Sequence, residues 1–445
     1  MRPPRENTVP ASRLLLLSLS LLLAACAQVP TEDAPAPVPE PAVQAPPAPP
    51  PAAPPAPRVH MPVAPSPAEA AQFRQCIAGL RAPALAAGVS AATFDRHAAG
   101  IAPDMGVLPL LDRQPEFTLP LWDYLAALVD EERVADGRRL LAEHADILRT
   151  VEQRHGVDPA TVVAVWGVES DFGRIPGTRP LLQSLGTLSC FGRRQPFFRS
   201  ELYEALKILQ RGDVAEADLV GSWAGAFGQT QFMPSTYNRI AVDTDGDGRR
   251  DLVRSVPDAL GSTANYLARS GWRSGQPWGH EVVLPANFNA ALAGRTNRRP
   301  LSQSLALGVR RADGGGIDLP ADTRSAILLP AGKAGPAFLV FRNYDAIYSY
   351  NAAESYALAI ALLADRLRGG SGLRTPWPTD DPGLSRAQRR ELQALLAARG
   401  HDIGAIDGAI GGRTRAAVLA EQQRLGMAAD GRPGQKLLQA LRAAR

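Results

Sequence analysis

Apolar residues recur at helical spacing along most of the chain. The pattern predicts helices over residues 67–80, 119–129, 136–156, 159–169, 196–212, 255–270 and 354–367. Strand-like apolar runs are few, at 280–284, 326–329 and 337–342. The fold class this implies is mainly α (α+β): an α-rich domain with a small β element near residues 280–342. One helix differs from the rest. Asp158-Pro159 is a cap followed by proline at the first helical position. The residues from Ala160 to Val168 are then apolar around the whole circumference, which predicts burial on every side.

The two ends of the chain break this pattern. Arg2, Arg5 and Arg13 precede a short apolar run, 14–23, too short to span a bilayer and ending in Leu23-Ala24-Ala25-Cys26. This resembles a bacterial lipoprotein signal covering residues 1–25, with Cys26 lipidated; cleavage beside an incidental cysteine is the other reading. Ala27 replaces the aspartate that retains such proteins at the inner membrane, so the expectation is an outer-membrane lipoprotein facing the periplasm. Residues 26–67 form a Pro/Ala-rich tether, with 16 of the 40 prolines between Pro30 and Pro67. At ~3 Å per residue it would reach roughly 100 Å. A second linker, 371–382, contains Thr375-Pro376-Trp377-Pro378 and separates residues 68–370 from a tail at 383–445.

Composition narrows the class of function. The 445 residues carry 48 Lys plus Arg against 44 Asp plus Glu, and only Lys207, Lys333 and Lys436 are lysines. The tail holds 11 basic and 5 acidic residues, whereas 58–382 holds 34 and 35. The basic excess therefore belongs to the tail, and the near-neutral middle argues against nucleic acid. Cys76 and Cys190, in an oxidising compartment, read as a disulfide or as two buried thiols.

Glu169 is the sharpest chemical candidate. It ends the all-apolar helix just before Ser170-Asp171-Phe172-Gly173, where the helix dipole and partial desolvation both oppose ionisation. A carboxyl protonated near neutral pH suits a general acid; a solvent-facing terminal glutamate is the plain alternative. No other carboxylate stands in a comparable apolar setting, and Asp171 is too near along the chain to face it across a substrate. Residues 221–235 then pack glycines among polar and aromatic groups, with Ser222 and Gln231 able to bond hydroxyls and amides.

Trp166-Gly167-Val168-Glu169-Ser170, Gly221-Ser222-Trp223-Ala224-Gly225-Ala226 and Gln231-Phe232-Met233-Pro234-Ser235 resemble the membrane-bound lytic murein transglycosylase B family. The likeness continues through Ala264-Asn265-Tyr266-Leu267, Gly271-Trp272, Asn343-Tyr344-Asp345-Ala346-Ile347, Tyr350-Asn351 and Tyr356-Ala357, over about residues 68–368. It implies a lysozyme-like α-rich domain that cleaves the MurNAc–GlcNAc β-1,4 bond of peptidoglycan without water. Glu169 would act first as acid and then as base, leaving 1,6-anhydroMurNAc ends. Ser222, Gln231, Tyr124, Tyr266, Tyr350, Asn351 and Tyr356 match residues of the saccharide groove; core packing is the other reading of the tyrosines. Ala353 stands where relatives often carry serine. Two rival functions remain open on the sequence: a lysozyme-type hydrolase, and a non-catalytic wall-binding lipoprotein.

Residues 243–248, Asp-Thr-Asp-Gly-Asp-Gly, resemble the first half of an EF-hand loop, but the twelfth position is Arg254. By resemblance Asp258 would close a longer loop. Structural calcium on Asp243, Asp245, Asp247 and Asp258, or an Asx-type turn held by Arg249 and Arg250, are both open, and no cofactor is required for the chemistry. The tail resembles a three-helix peptidoglycan-binding domain, with Glu421-Gln422 where Phe-Gln is usual. The expected partners are glycan strands and, through the lipid, a membrane; a monomer is expected.

Overall fold

The computed structural model describes residues 60–112 and 119–444; the signal, Cys26 and most of the tether lie outside them. Sixteen α-helices are defined among these residues: α1 Pro67–Ala86, α2 Ala91–His97, α3 Leu121–Leu128, α4 Glu131–Glu143, α5 Ala145–His155, α6 Pro159–Ser170, α7 Leu181–Cys190 and α8 Gln195–Arg211; then α9 Pro234–Ile240, α10 Val256–Arg269, α11 Leu301–Ala306, α12 Arg342–Tyr348, α13 Glu354–Leu367, α14 Arg386–Ala398, α15 Gly412–Arg424 and α16 Gln435–Ala443.

Helix α6 is the axis of the first hydrophobic core. Every residue from Ala160 to Gly167 is buried, and burying each of its valines contributes roughly 1.5–3 kcal/mol. Asp158 accepts from the Ala160 N–H at 3.0 Å, so the expected cap is present. Gly167 admits the Phe172 ring: a Cβ there would lie 2.7 Å from it. Helices α4, α10 and α13 pack around α6. A second core gathers Phe73, Ile77, Leu185, Leu202, Phe227, Phe232 and Tyr237 from α1, α7, α8, α9 and the segment before α9. Cys76 of α1 and Cys190 of α7 are joined in a disulfide across 114 residues.

Among the described residues the strands are β1 Arg179–Pro180, β2 Val220–Gly221, β3 Gly279–Val283, β4 Arg299–Pro300, β5 Arg310–Arg311, β6 Arg324–Leu328 and β7 Ala337–Val340. Strands β1 and β2 pair with each other; the rest form an antiparallel sheet in the order β4-β6-β7-β3-β5, with Glu281 opposite Phe338 and Ala326 opposite Val340. All of β7 is buried, so it reads as a continuous apolar run rather than an alternating one. Helices α14–α16 enclose a further core of Leu392, Leu396, Val418, Leu437, Leu438 and Leu441.

The structure departs from expectation in several places. The helix expected over 136–156 begins earlier, at Glu131, because Asp130 caps it by accepting from the Arg133 N–H at 2.9 Å. It is interrupted at His144, whose ring meets Trp166 edge-on at 5.7 Å. The end of the proline-rich segment is docked: the Val63 N–H donates to Asp104 Oδ1 at 2.9 Å and His60 Nε2 lies 2.6 Å from Oδ2. In the tail, Glu421, standing where the resembled domain usually has phenylalanine, is itself buried, held by His401 at 2.9 Å and Arg424 at 2.8 Å. Charge pairing there replaces ring packing.

Candidate active site

Glu169 is half-buried at the last turn of α6. The chain then enters the left-handed region for three residues, Asp171 (φ 52°), Phe172 (φ 58°) and Gly173 (φ 80°). For the two that are not glycine this costs about 1–3 kcal/mol each and persists only where surroundings enforce it. Those surroundings are specific. Ser170 Oγ donates to the Gln229 carbonyl and accepts from the Gly173 N–H at 2.8 Å. A Cβ on Gly173 would lie 2.8 Å from Gln229 Oε1, so the turn 228–231 sits directly against the end of α6.

The same turn supports a tyrosine cluster. Tyr350 Oη donates to the Thr230 carbonyl at 2.7 Å. The Tyr350 ring lies 4.6 Å from Tyr266, 5.7 Å from Phe232 and 6.3 Å from Tyr356, centroid to centroid. Tyr266 Oη donates to the Ser349 carbonyl at 2.6 Å. Both Tyr266 and Tyr350 pack against the first core and the second, so the cluster marks the seam between them. Tyr356, at the start of α13, donates its hydroxyl to Glu169 Oε1. Burial, reinforced by the Glu169 charge, pushes the Tyr350 and Tyr356 hydroxyls well above their ordinary range, so both are neutral donors.

Asp171 is held by arginines instead. Its carboxylate binds Arg174 at 2.9 Å, Arg133 at 3.0 Å and Arg386 at 2.6 Å. Burial would raise it, but the Arg174 hydrogen bond and the charges of Arg133 and Arg386 outweigh that and hold it below the usual aspartate range.

The other anticipated residues are distributed as follows. Gln231 (φ 51°) donates through Nε2 to the carbonyls of Pro176 and Gly228, each at 2.8 Å. Ser222 Oγ accepts from the Ala226 N–H at 3.0 Å and closes its own loop. Tyr124 packs on the first core. Asn351 follows Tyr350 directly and is half-buried. Sequence reasoning did not single out Ser170, whose hydroxyl ties two main-chain groups, nor Gln229 and Thr230, whose backbone carbonyls leave no residue-type signature. A cleft of about 1270 Å³, lined in part by Trp122, Trp272, Trp278 and Trp377, opens elsewhere, and Glu169 is not among its lining residues.

Asp243, Asp245 and Asp258 bring oxygens within 4.8 Å of one another, whereas Asp247 is not part of that group. Asp247 Oδ1 accepts from the Arg249 N–H at 2.8 Å. Asp258 accepts from the N–H groups of Thr244 at 2.7 Å and Asp251 at 2.8 Å. Burial, with Asp245 nearby, raises its carboxyl. A crowded, oxygen-only set of this kind fits a hard divalent cation.

Residues 72–365 match the family model described as transglycosylase SLT domain, and residues 385–441 match a peptidoglycan binding domain. Membrane-bound lytic murein transglycosylase B of Escherichia coli is 33% identical over 240 residues, 53% of this chain; the match spans 64% of that relative's length. SltB3 of Pseudomonas aeruginosa, solved in complex with NAG-anhNAM-pentapeptide, is 51% identical over 83% of this chain and 99% of its own, with a TM-score of 0.67. The lytic transglycosylase Slt35 of Escherichia coli, solved in complex with calcium, is 28% identical over 69% of this chain and 96% of its own, with a TM-score of 0.58. The chain belongs to the transglycosylase SLT family of peptidoglycan-cleaving lyases, with a peptidoglycan-binding domain at its C-terminal end.

Proposed function

We propose that this protein cleaves the MurNAc–GlcNAc β-1,4 bond of peptidoglycan without water, and that Glu169 carries both proton transfers. The observation that carries the reading is the Tyr356–Glu169 hydrogen bond, made beside Tyr350, whose ring packs on both cores. Protonated Glu169 gives its proton to the departing GlcNAc oxygen as the C1–O bond breaks. The resulting carboxylate takes the proton of the MurNAc C6 hydroxyl, whose oxygen closes on C1 as a 1,6-anhydro ring. Glu169 ends as it began, and no water enters the product. A retaining hydrolase needs a second carboxylate about 5–5.5 Å away; the nearest along the chain, Asp171, is engaged by three arginines, which favours the single-residue route. The groove would use Tyr124, Ser222, Gln231, Tyr266, Tyr350, Asn351 and Tyr356. The anhydro ligand described for SltB3 supports this product.

The experiment is mass analysis of fragments released from purified sacculi by wild type and Glu169→Gln. Products one water lighter than the hydrolysed muropeptides are expected from wild type, and none from the variant. Reducing ends would replace this mechanism with hydrolysis, and full activity in Glu169→Gln would remove Glu169 from it. We further propose anchoring at the outer membrane through a lipid on Cys26, and calcium bound at Asp243, Asp245 and Asp258 in a structural role.

A further inference from the structure

We propose that Arg386 of the C-terminal module is a positioning residue for the cleavage site, so that docking of this module sets the turnover rate as well as wall affinity. The inference rests on the assignment of Glu169 above.

Arg386 is the first residue of α14, held by a capping box in which Ser385 and Gln388 bond each other's N–H groups. From there it reaches the residue that ends the Glu169 helix. Its Nη2 meets Asp171 Oδ1 at 2.6 Å and its Nη1 meets Oδ2 at 3.1 Å, a two-pronged geometry that fixes orientation as well as distance. Asp171 and Phe172 occupy a backbone region that only enforced surroundings sustain, and Arg386 supplies the shortest of the three arginine contacts that hold Asp171 there.

The charge balance points the same way. Within the larger domain, Arg133 lies between two buried carboxylates: Asp171, and Asp130 with only 2% of its side chain exposed. Arg174 is 40% exposed and serves Asp136 as well. Asp130 Oδ2 has no hydrogen bond, and Arg386 Nε lies 3.9 Å from it. Arg386, 14% exposed, brings a largely shielded cation to both carboxylates from the other module, and Arg389 of the same helix adds its charge beside Asp130. A module that served only as a tether would need no cation buried in its neighbour.

A second grip acts beside Tyr124. Arg432 holds Asp123 at 2.6 and 2.7 Å, and Arg390 pairs with Glu132. A Cβ on Gly383 would lie 2.7 Å from the Asp123 backbone, so the start of the module closes tightly on α3. The module thus clamps α3, α4 and the end of α6, the elements that carry Tyr124, Arg133 and Glu169.

The test uses the full mature chain and a soluble tetrasaccharide of alternating GlcNAc and MurNAc, so that no insoluble wall is present to bind. Arg386→Gln should lower kcat by about tenfold or more, as small misplacements at a reacting centre do, with KM and co-sedimentation with sacculi unchanged. Arg386→Lys should recover part of the rate. Arg413→Gln, an exposed change in the same module, should leave it intact. An unchanged kcat in Arg386→Gln, or a fall matched by loss of the native near-ultraviolet circular dichroism, overturns the proposal. Glu169→Gln, run beside it, separates the two readings: an active Glu169→Gln sinks the assignment of Glu169, whereas an inactive one beside a fully active Arg386→Gln sinks only the coupling.

Discussion

The hydroxyl of Tyr356 donates a hydrogen bond to Oε1 of Glu169 across 187 residues of sequence. The contact joins the end of α6 to the start of α13, two helices that are buried along most of their lengths. Its geometry is therefore held by the core rather than by the two side chains. As Glu169 gives up its proton it becomes a charged acceptor, and losing a hydrogen bond to such a partner costs about 1.5–3 kcal/mol, which is roughly 10- to 150-fold in rate. Tyr356→Phe should lower kcat by that amount with little change in KM. Initial rates on a soluble glycan check it, and an unaltered kcat would leave Tyr356 a packing residue.

The Glu169 helix was legible because two local signals agree there: a cap with proline after it, and apolar residues on all sides. Its neighbour α7 was not foreseen. Residues 181–190, Leu-Leu-Gln-Ser-Leu-Gly-Thr-Leu-Ser-Cys, hold glycine and hydroxyl residues of weak helical preference, and tertiary burial decides their state. Residues 337–342 read as one strand, yet the chain turns after Val340 and Arg342 begins α12. The tyrosines of the cluster were identified through resemblance to a family. Their common support, the turn 228–231, acts through carbonyl groups that every residue possesses. The Arg386–Asp171 contact spans 215 residues, and no local pattern announces an ion pair at that distance.

The disulfide between Cys76 and Cys190 closes a long loop and ties α1 to α7 in the second core. A crosslink over a loop of this length stabilises by about 4–5 kcal/mol in the chain-entropy treatment. The Cys76→Ala, Cys190→Ala double variant should show a clearly lower urea midpoint than the oxidised wild type. Equal midpoints would mean that the crosslink contributes nothing.

Calcium at the Asp243 loop should register as a stability change independent of activity. At a hundredfold excess over its dissociation constant, a ligand that binds only the folded state adds about 2.7 kcal/mol. Calcium should raise the melting temperature of the wild type and a chelator should reverse the shift. Asp245→Asn removes one charge from the cluster while leaving an oxygen for the Ser255 hydroxyl, which lies 2.6 Å from Asp245 Oδ2. This variant should respond weakly or not at all, and the same shift in both proteins would place the ion elsewhere.

Glu421 gives the C-terminal module an acid-sensitive element. The Arg424 hydrogen bond, with help from His401 and against the cost of burial, lowers its carboxyl below the usual glutamate range. A group whose folded pKa is depressed contributes stability above its unfolded value, near 4.3, and that contribution disappears as pH falls through the folded value. Melting temperature should therefore fall between neutral pH and about pH 3 more steeply in wild type than in Glu421→Gln. Parallel curves for the two proteins would show that the Arg424 and His401 contacts carry no pH-linked stability.

Gln231 separates a groove contact from a structural one by the polarity of its amide. Both bonds that it makes through Nε2 are donations, to the carbonyls of Pro176 and Gly228. A glutamate side chain is nearly the same size, so Gln231→Glu changes the donor into an acceptor without opening space. Two carbonyls would then face a carboxylate, and each half-buried polar group left without a partner costs about 1–3 kcal/mol. The loop that sets Thr230 under Tyr350 should shift, and kcat should drop at least tenfold, a loss of about 1.4 kcal/mol in transition-state stabilisation. Gln231→Ala removes the donor without adding charge, so its defect should be smaller. If Gln231 instead served only to bind glycan, Gln231→Ala would raise KM and Gln231→Glu would do no worse. Rates and KM values for the two variants, measured together on the same soluble glycan, decide between these roles.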